Sequence, residues 1–211
     1  THVALSAHPN PKKVLVVGGG DGGSIREILK HPSVEQAILV DIDERVVELC
    51  KQYLPTISCA LDDPRVTVRI EDGLEYVKRH HNEFDLIIVD STDPIGPAVG
   101  LFAQEFYRDL YGALKEDGMF VAQTEPPWAS KTFLPELHGA LREIFPIVKL
   151  YLANIPTYQS GLYSFTACSK KYDPEVIQPG KEITGTKYYS PEIHKAAFVL
   201  PPFVADLVKV K

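Results

Sequence analysis

An α/β fold is predicted, an open twisted sheet, mostly parallel, with helices on both faces and an antiparallel strand near the C-terminal edge. Three observations predict it. Short uninterrupted apolar runs, Val14-Leu15-Val16-Val17 and Leu86-Ile87-Ile88-Val89 among them, read as strands buried on both faces. These runs alternate with helical segments, the pattern of a sheet covered by helices. The early runs stop at glycine or aspartate, and sheets of this kind bind ligands beyond the carboxyl ends of their strands.

Taken in order, Val14 to Val17 is the first strand and Ile25 to Lys30 a short helix. Ile38-Leu39-Val40 is the second strand, closing on Asp41. Asp43 is placed to cap the next helix, whose apolar face is Val46, Val47, Cys50 and Leu54. Val66 to Ile70 makes a third strand, Leu74 to His80 a short helix, and Phe84 to Val89 a fourth strand ending at Asp90. A polar, proline-rich loop runs from Ser91 to Val99. Phe106, Leu110 and Leu114 mark a helix, and Gly118 to Gln123 a strand. Leu134 to Ile144 is a further helix that tolerates Pro135 in its first turn. Ile147 to Leu152 and Tyr163 to Ala167 form a closing strand pair, and from Tyr172 onward the chain reads as irregular.

Composition narrows the function. The 211 residues suit one domain without repeats, and the formal net charge of −6 disfavours nucleic acid or an anionic membrane as main partner. The apolar runs are too short to span a bilayer, and the first residues lack a secretory pattern. Three widely spaced cysteines, Cys50, Cys59 and Cys168, are expected to be small buried thiols in a reducing cytoplasm. The histidines show no zinc spacing, so no metal is expected.

The chemistry gathers on the rim of the predicted sheet. Gly18-Gly19-Gly20-Asp21-Gly22-Gly23 sits between a strand and a helix, where glycines let the backbone approach a ligand. Asp41 closes the second strand and can accept from ribose hydroxyls. The turn also fits the dinucleotide pattern through Gly18, Gly20 and Gly23, but a carboxylate at Asp21 would repel a pyrophosphate and better suits a cationic ligand. Asp72-Gly73 either accepts from an adenine amine or caps the helix at Leu74; both are compatible. Asp90-Ser91-Thr92-Asp93-Pro94-Ile95-Gly96-Pro97 leaves the fourth strand with two carboxylates. No Lys or Arg lies between Asp85 and Arg108 to neutralise them, so the cluster invites a positive partner.

These segments together resemble the polyamine aminopropyltransferases, the spermidine synthases of bacteria in particular. The likeness runs on through Val121-Ala122-Gln123-Thr124, Trp128, Asn154-Ile155-Pro156-Thr157-Tyr158, Ser160-Gly161 and His194 to Pro201. It implies a class I methyltransferase-like (Rossmann-like) sheet and transfer of an aminopropyl group from decarboxylated S-adenosylmethionine to putrescine, with no prosthetic group. In the resemblance, Asp90 is the proton acceptor. Asp21 and Asp93 hold amino groups, with Ser91 and Thr92 beside them. Gly18, Gly19, Gly20 and Asp41 bind the nucleoside, Asp72 and Gly73 the adenine, and Pro97 walls the pocket. Gln123 and Tyr158 line a polyamine channel, with Trp128 on its apolar side. A cytoplasmic enzyme is implied, a homodimer or homotetramer in its full-length form.

Two departures stand out. Gln159 replaces a proline that follows the tyrosine in many relatives. The family's N-terminal β-rich domain, which adds groups to its site, is not among residues 1–211, all of which fall in the catalytic domain. A class I methyltransferase, an NAD-dependent enzyme and a non-catalytic nucleoside-binding module are the competing readings. The first is disfavoured because its donor carries a carboxylate that Asp21, Asp90 and Asp93 would repel.

Overall fold

The computed structural model describes residues 1–92, 96–158 and 160–209, and only the backbone of residues 96–98. Seven strands, β1 Lys13–Gly18, β2 Gln36–Asp41, β3 Val66–Ile70, β4 Phe84–Asp90, β5 Leu114–Gln123, β6 Ile147–Asn154 and β7 Leu162–Ser169, form one sheet in the order β3-β2-β1-β4-β5-β7-β6. The first five in that order are parallel, while β7 runs antiparallel to both β5 and β6. This is the mostly parallel sheet with one reversed strand that the sequence predicts.

Alternation along the strands divides the core into two layers. Leu15, Val17, Ile38, Val40, Ile87, Val89 and Phe120 face one side. There they pack on α5 Gly73–Lys78, α6 Gln104–Ala113 and α7 Phe133–Arg142 through Tyr76, Val77, Phe106, Leu110, Leu137 and Leu141. Val14, Val16, Ala37, Leu39, Leu86, Ile88 and Val121 face the other side. That side is covered by α1 His2–Ala7, α2 Gly23–Ile28 and α3 Glu44–Tyr53 through Leu5, Ile25, Ile28 and Val47. Strands buried on both faces explain why β1 and β4 read as apolar runs rather than alternating ones.

Several local expectations need correction. Leu114 does not extend α6; that helix ends at Ala113 and Leu114 opens β5. Val46 and Leu54 are exposed, and of the four residues assigned to the apolar face of α3 only Val47 is buried. The chain beyond Tyr172 is not wholly irregular. Ser190 caps α8 Pro191–Ala197 by accepting from the Ile193 N–H, and α9 Pro202–Leu207 buries Val204 against Leu134 and Leu150. Short α4 Pro55–Ser58 and α1 also went unread. Of the cysteines Cys168 is buried, Cys50 is half-buried and Cys59 is exposed. No helix among the described residues is long and apolar enough to cross a membrane.

At the amino end of the sheet, Asp85 is buried and accepts from the Lys12 and Lys13 backbone N–H groups at 2.9 and 2.7 Å and from Lys115 Nζ at 2.9 Å. The fold brings His8, Asp85 and Asp117 close together although their spacing gives no metal pattern. His8 Nδ1 accepts from the Asn10 N–H at 3.2 Å, so the proton of a neutral ring sits on Nε2, 3.8 Å from Asp117 Oδ1. The cluster ties the end of α1 to the amino-terminal parts of β4 and β5.

Buried histidines set the acid limit of the fold. Burial, then the charge of Arg142, pushes His138 down to about 4, and burial, then His2, pushes His31 down to about 3. From the ordinary value of 6.5 downward, the unfolded chain takes up protons that the native chain refuses. Stability is therefore lost as pH falls through the window from 6.5 to about 4. Unfolding free energies from urea titrations are expected to drop across it, by up to about 1.4 kcal/mol per pH unit for each such histidine. A flat profile between those limits would contradict neutral burial of these rings.

Candidate active site

The chain leaves β1 toward β2 on one side and leaves β4 toward β5 on the other, so the carboxyl ends of β1 and β4 form a switch point in the strand order. Ligands bind at such points. The register sets Gly18 of β1 beside Asp90 of β4, and a cavity of about 470 Å³ opens there. Gly18 has a φ of +82°, and a Cβ on it would lie 2.2 Å from the Asp90 carbonyl oxygen. Only glycine lets β1 turn away at this height. Gly73 meets a similar limit, since a Cβ there would lie 2.5 Å from Val17 Cγ1.

Five aspartates line this cavity: Asp21 from the glycine turn, Asp41 from the end of β2, Asp43 from the cap of α3, where it accepts from the Arg45 and Val46 N–H groups, Asp72 from the end of the β3 connection, and Asp90 from the end of β4. Each spends part of its capacity on its own surroundings. Asp21 Oδ1 accepts from the Gly23 N–H at 2.8 Å. Asp41 Oδ2 accepts from the Gly20 N–H at 2.8 Å and Oδ1 from the Asp43 N–H at 2.9 Å. Asp72 caps α5 by accepting from the Leu74 N–H at 2.8 Å. Asp90 Oδ2 accepts from the Ser24 hydroxyl at 2.6 Å. A carboxylate offers about four lone-pair sites, so each retains capacity for a ligand. Among the described residues none of the five is ion-paired to Lys or Arg.

The fold therefore brings Gly18, Gly19, Gly20, Asp21, Asp41, Asp72, Gly73, Asp90, Ser91 and Thr92 around one space. It does not bring Gln123, Tyr158 or Trp128 to the lining of that space. Gln123 ends β5 half-buried. Tyr158 is 43 % exposed and stacks on Tyr163 with ring centres 4.6 Å apart. Trp128, 57 % exposed, stacks at 3.9 Å on Phe203 of α9. Asp93 and Gln159 lie outside the described residues, as does the side chain of Pro97.

Sequence reasoning missed the apolar part of the lining. Ile42, Val46, Leu74 and Leu101 supply it beside Val17 and Val40. Val46 looked like core because its spacing from Val47 and Cys50 fits an amphipathic helix. The available signal was Ile42, an apolar residue set between Asp41 and Asp43 just past a strand end; it is 60 % exposed. Carboxylates around apolar walls make a space suited to a flat apolar ring bearing hydroxyls and positive charge.

Comparison with known proteins agrees with this geometry. Residues 1–178 match the spermine/spermidine synthase domain. The chain is 60 % identical over 207 residues to a polyamine aminopropyltransferase of a Thermoanaerobacter species, covering 98 % of this chain and 75 % of that protein. It is 57 % identical over 209 residues to the polyamine aminopropyltransferase of Bacillus subtilis, covering 99 % and 76 %. A crystal structure of a spermidine synthase in complex with the transition-state analogue AdoDATO superposes with a TM-score of 0.94 at 47 % identity, over 99 % of this chain and 73 % of that one. The spermidine synthase of Thermotoga maritima gives a TM-score of 0.91 at 47 % identity, covering 99 % and 72 %. A methyltransferase-like sheet, a carboxylate-ringed cavity at its switch point and these likenesses converge: the chain belongs to the spermine/spermidine synthase family, transferases that move an aminopropyl group in polyamine biosynthesis.

Proposed function

We propose that the chain transfers the aminopropyl group of decarboxylated S-adenosylmethionine to putrescine, giving spermidine and S-methyl-5'-thioadenosine. The observation that carries this reading is the cavity itself, which sets Asp21, Asp41, Asp72 and Asp90 around apolar walls with no Lys or Arg paired to them among the described residues. A donor with a sulfonium and an ammonium group, and an acceptor with two ammonium groups, supply the missing positive charge. S-adenosylmethionine itself would bring a carboxylate into the same ring of aspartates and be repelled.

In this reading the nucleoside lies along Gly18, Gly19 and Gly20 with its ribose hydroxyls on Asp41. Its adenine lies between Ile42 and Leu101, with its amine toward Asp72 and Gly73 and Pro97 as a wall. Asp21 and Asp93 hold the amino groups of the two chains, helped by Ser91 and Thr92, and the acceptor enters past Gln123 and Tyr158. A primary amine with a pKa of about 10 is mostly protonated near neutral pH and has no lone pair to attack with. Asp90 holds that ammonium group and takes its proton as the nitrogen reacts. The new C–N bond forms at the propyl carbon while the C–S bond breaks, and its electron pair stays on sulfur as a neutral thioether. A carboxylate is a weak base for this proton, and desolvation of the filled site narrows the gap. The other carboxylates contribute by holding two cations end to end.

The test is mass spectrometry of the products formed by the full chain from decarboxylated S-adenosylmethionine with a panel of diamines. Spermidine and methylthioadenosine are expected with putrescine. Product from another diamine alone would reassign the acceptor, and methyl transfer from S-adenosylmethionine would overturn the reaction.

A further inference from the structure

The end of β5 carries a backbone feature that the aspartate cavity does not explain. Glu125, just past the strand, has a φ of +76°, a left-handed conformation that residues other than glycine hold only with support. The support comes from β7. The Ser164 N–H donates to the Glu125 carbonyl at 3.2 Å and the Ser164 hydroxyl to the same oxygen at 2.6 Å. The Thr124 N–H in turn donates to the Ser164 carbonyl at 2.9 Å. Behind Ser164 lies a row of polar groups under α7. Thr124 Oγ1 is 3.0 Å from Ser164 Oγ and 3.1 Å from Thr166 Oγ1, which is 3.0 Å from His138 Nε2. Thr124, Ser164, Thr166 and His138 are all buried.

Each hydroxyl has one proton to give, and this fixes a direction. Ser164 gives its proton to a backbone carbonyl, so toward Thr124 it can only accept. Thr124 donates to Ser164 and must accept from Thr166. Thr166 has then spent its proton and must accept from an Nε2–H on His138. The ring is therefore left with a bare Nδ1. A separate observation agrees: His138 Nδ1 is buried with no hydrogen-bond partner among the described residues. Burial and the charge of Arg142 keep that nitrogen unprotonated at neutral pH by pushing the ring down to about 4.

We infer that His138, Thr166, Thr124 and Ser164 form a proton-ordered hydrogen-bond chain that locks the turn after β5 and acts as a set of positioning residues for the acceptor end of the site. The inference rests on the proposed reaction, in which Gln123, the last residue of β5, lines the amine channel. The chain never touches the reacting atoms. It acts through the backbone that follows Gln123 and leads to Pro126-Pro127-Trp128. The nucleoside half of the cavity, at the ends of β1 and β2 and the start of α5, is built from other elements.

The experiment compares the Thr166→Val and Thr166→Ser variants with the parent chain. Valine keeps the volume and breaks the chain, whereas serine restores the hydroxyl. Thr166→Val is expected to raise KM for putrescine about tenfold, with the Kd of methylthioadenosine changed less than about twofold and Thr166→Ser close to the parent. A lowered Tm with KM unchanged would reduce the chain to packing and overturn the inference. Nitrogen-15 NMR of His138 in the unsubstituted protein judges it independently of activity and of any folding defect. An Nε2–H tautomer is expected, and an Nδ1–H tautomer would refute the ordering. Absence of spermidine from the parent chain would instead be a failure of the proposed reaction, and the NMR result would still decide the chain.

Discussion

Replacing Asp90 by asparagine is expected to lower kcat by about 10²- to 10⁴-fold while shifting the Kd of methylthioadenosine by no more than about threefold. The two side chains have the same shape, and an amide oxygen can still accept from the Ser24 hydroxyl that now lies 2.6 Å from Asp90 Oδ2. The mouth of the cavity, where Gly18 and Asp90 sit in register, is therefore kept. In the proposed reaction, what is lost is the negative charge that would hold an ammonium group and the basic oxygen that would take its proton. Steady-state kinetics beside calorimetry of the nucleoside product separates the two effects. Equal losses in turnover and in affinity would remove Asp90 from the role of base.

Asp41→Ala is expected to weaken methylthioadenosine binding by about 10- to 100-fold, the range for losing hydrogen bonds to a charged acceptor worth about 1.5–3 kcal/mol. Two causes act together. In the proposed binding mode the ribose loses its acceptor, and the Gly20 and Asp43 backbone N–H groups lose theirs. The Gly20 contact ties the glycine turn to the end of β2, so the alanine variant also loosens the wall against which the nucleoside lies. Asp41→Asn, which keeps an accepting oxygen, is expected to fall between the alanine variant and the parent. Unchanged affinity in the alanine variant, read by calorimetry, would refute the ribose assignment.

The parts of the sequence that could be read are those where a single residue type admits one placement. Val14 to Val17 and Leu86 to Val89 have no polar face, so they had to be central strands. Asp41 and Asp90 close such strands, which places them on the rim where the cavity opens. Asp72 also fills the capping role its position before Leu74 suggested. Legibility failed where an apolar residue has two possible hosts. Val46 sits on a helix with a buried neighbour, yet borders the cavity. Leu114 keeps the helical period of Phe106 and Leu110, yet the hydrogen bonding of β5 claims it. Helices α8 and α9 span 7 and 6 residues and open on proline, too short for a periodic signal; α9 is held by Val204 against Leu134 and Leu150, and α8 by Ala197 against the core layer that contains Tyr151, contacts that local reading cannot see. The hydroxyl row beneath Glu125 was invisible for the same reason, because Thr124, His138, Ser164 and Thr166 meet only once β5, β7 and α7 are stacked.

A rim of aspartates with no Lys or Arg paired to it among the described residues also changes its grip as the proposed reaction proceeds. The donor arrives with positive charge at sulfur and is drawn inward by it. Breaking the C–S bond erases that charge from the nucleoside and carries the cationic character off on the lengthened polyamine. The force that recruited the donor thus lapses in the step that consumes it, and the departing thioether meets the site as an uncharged molecule.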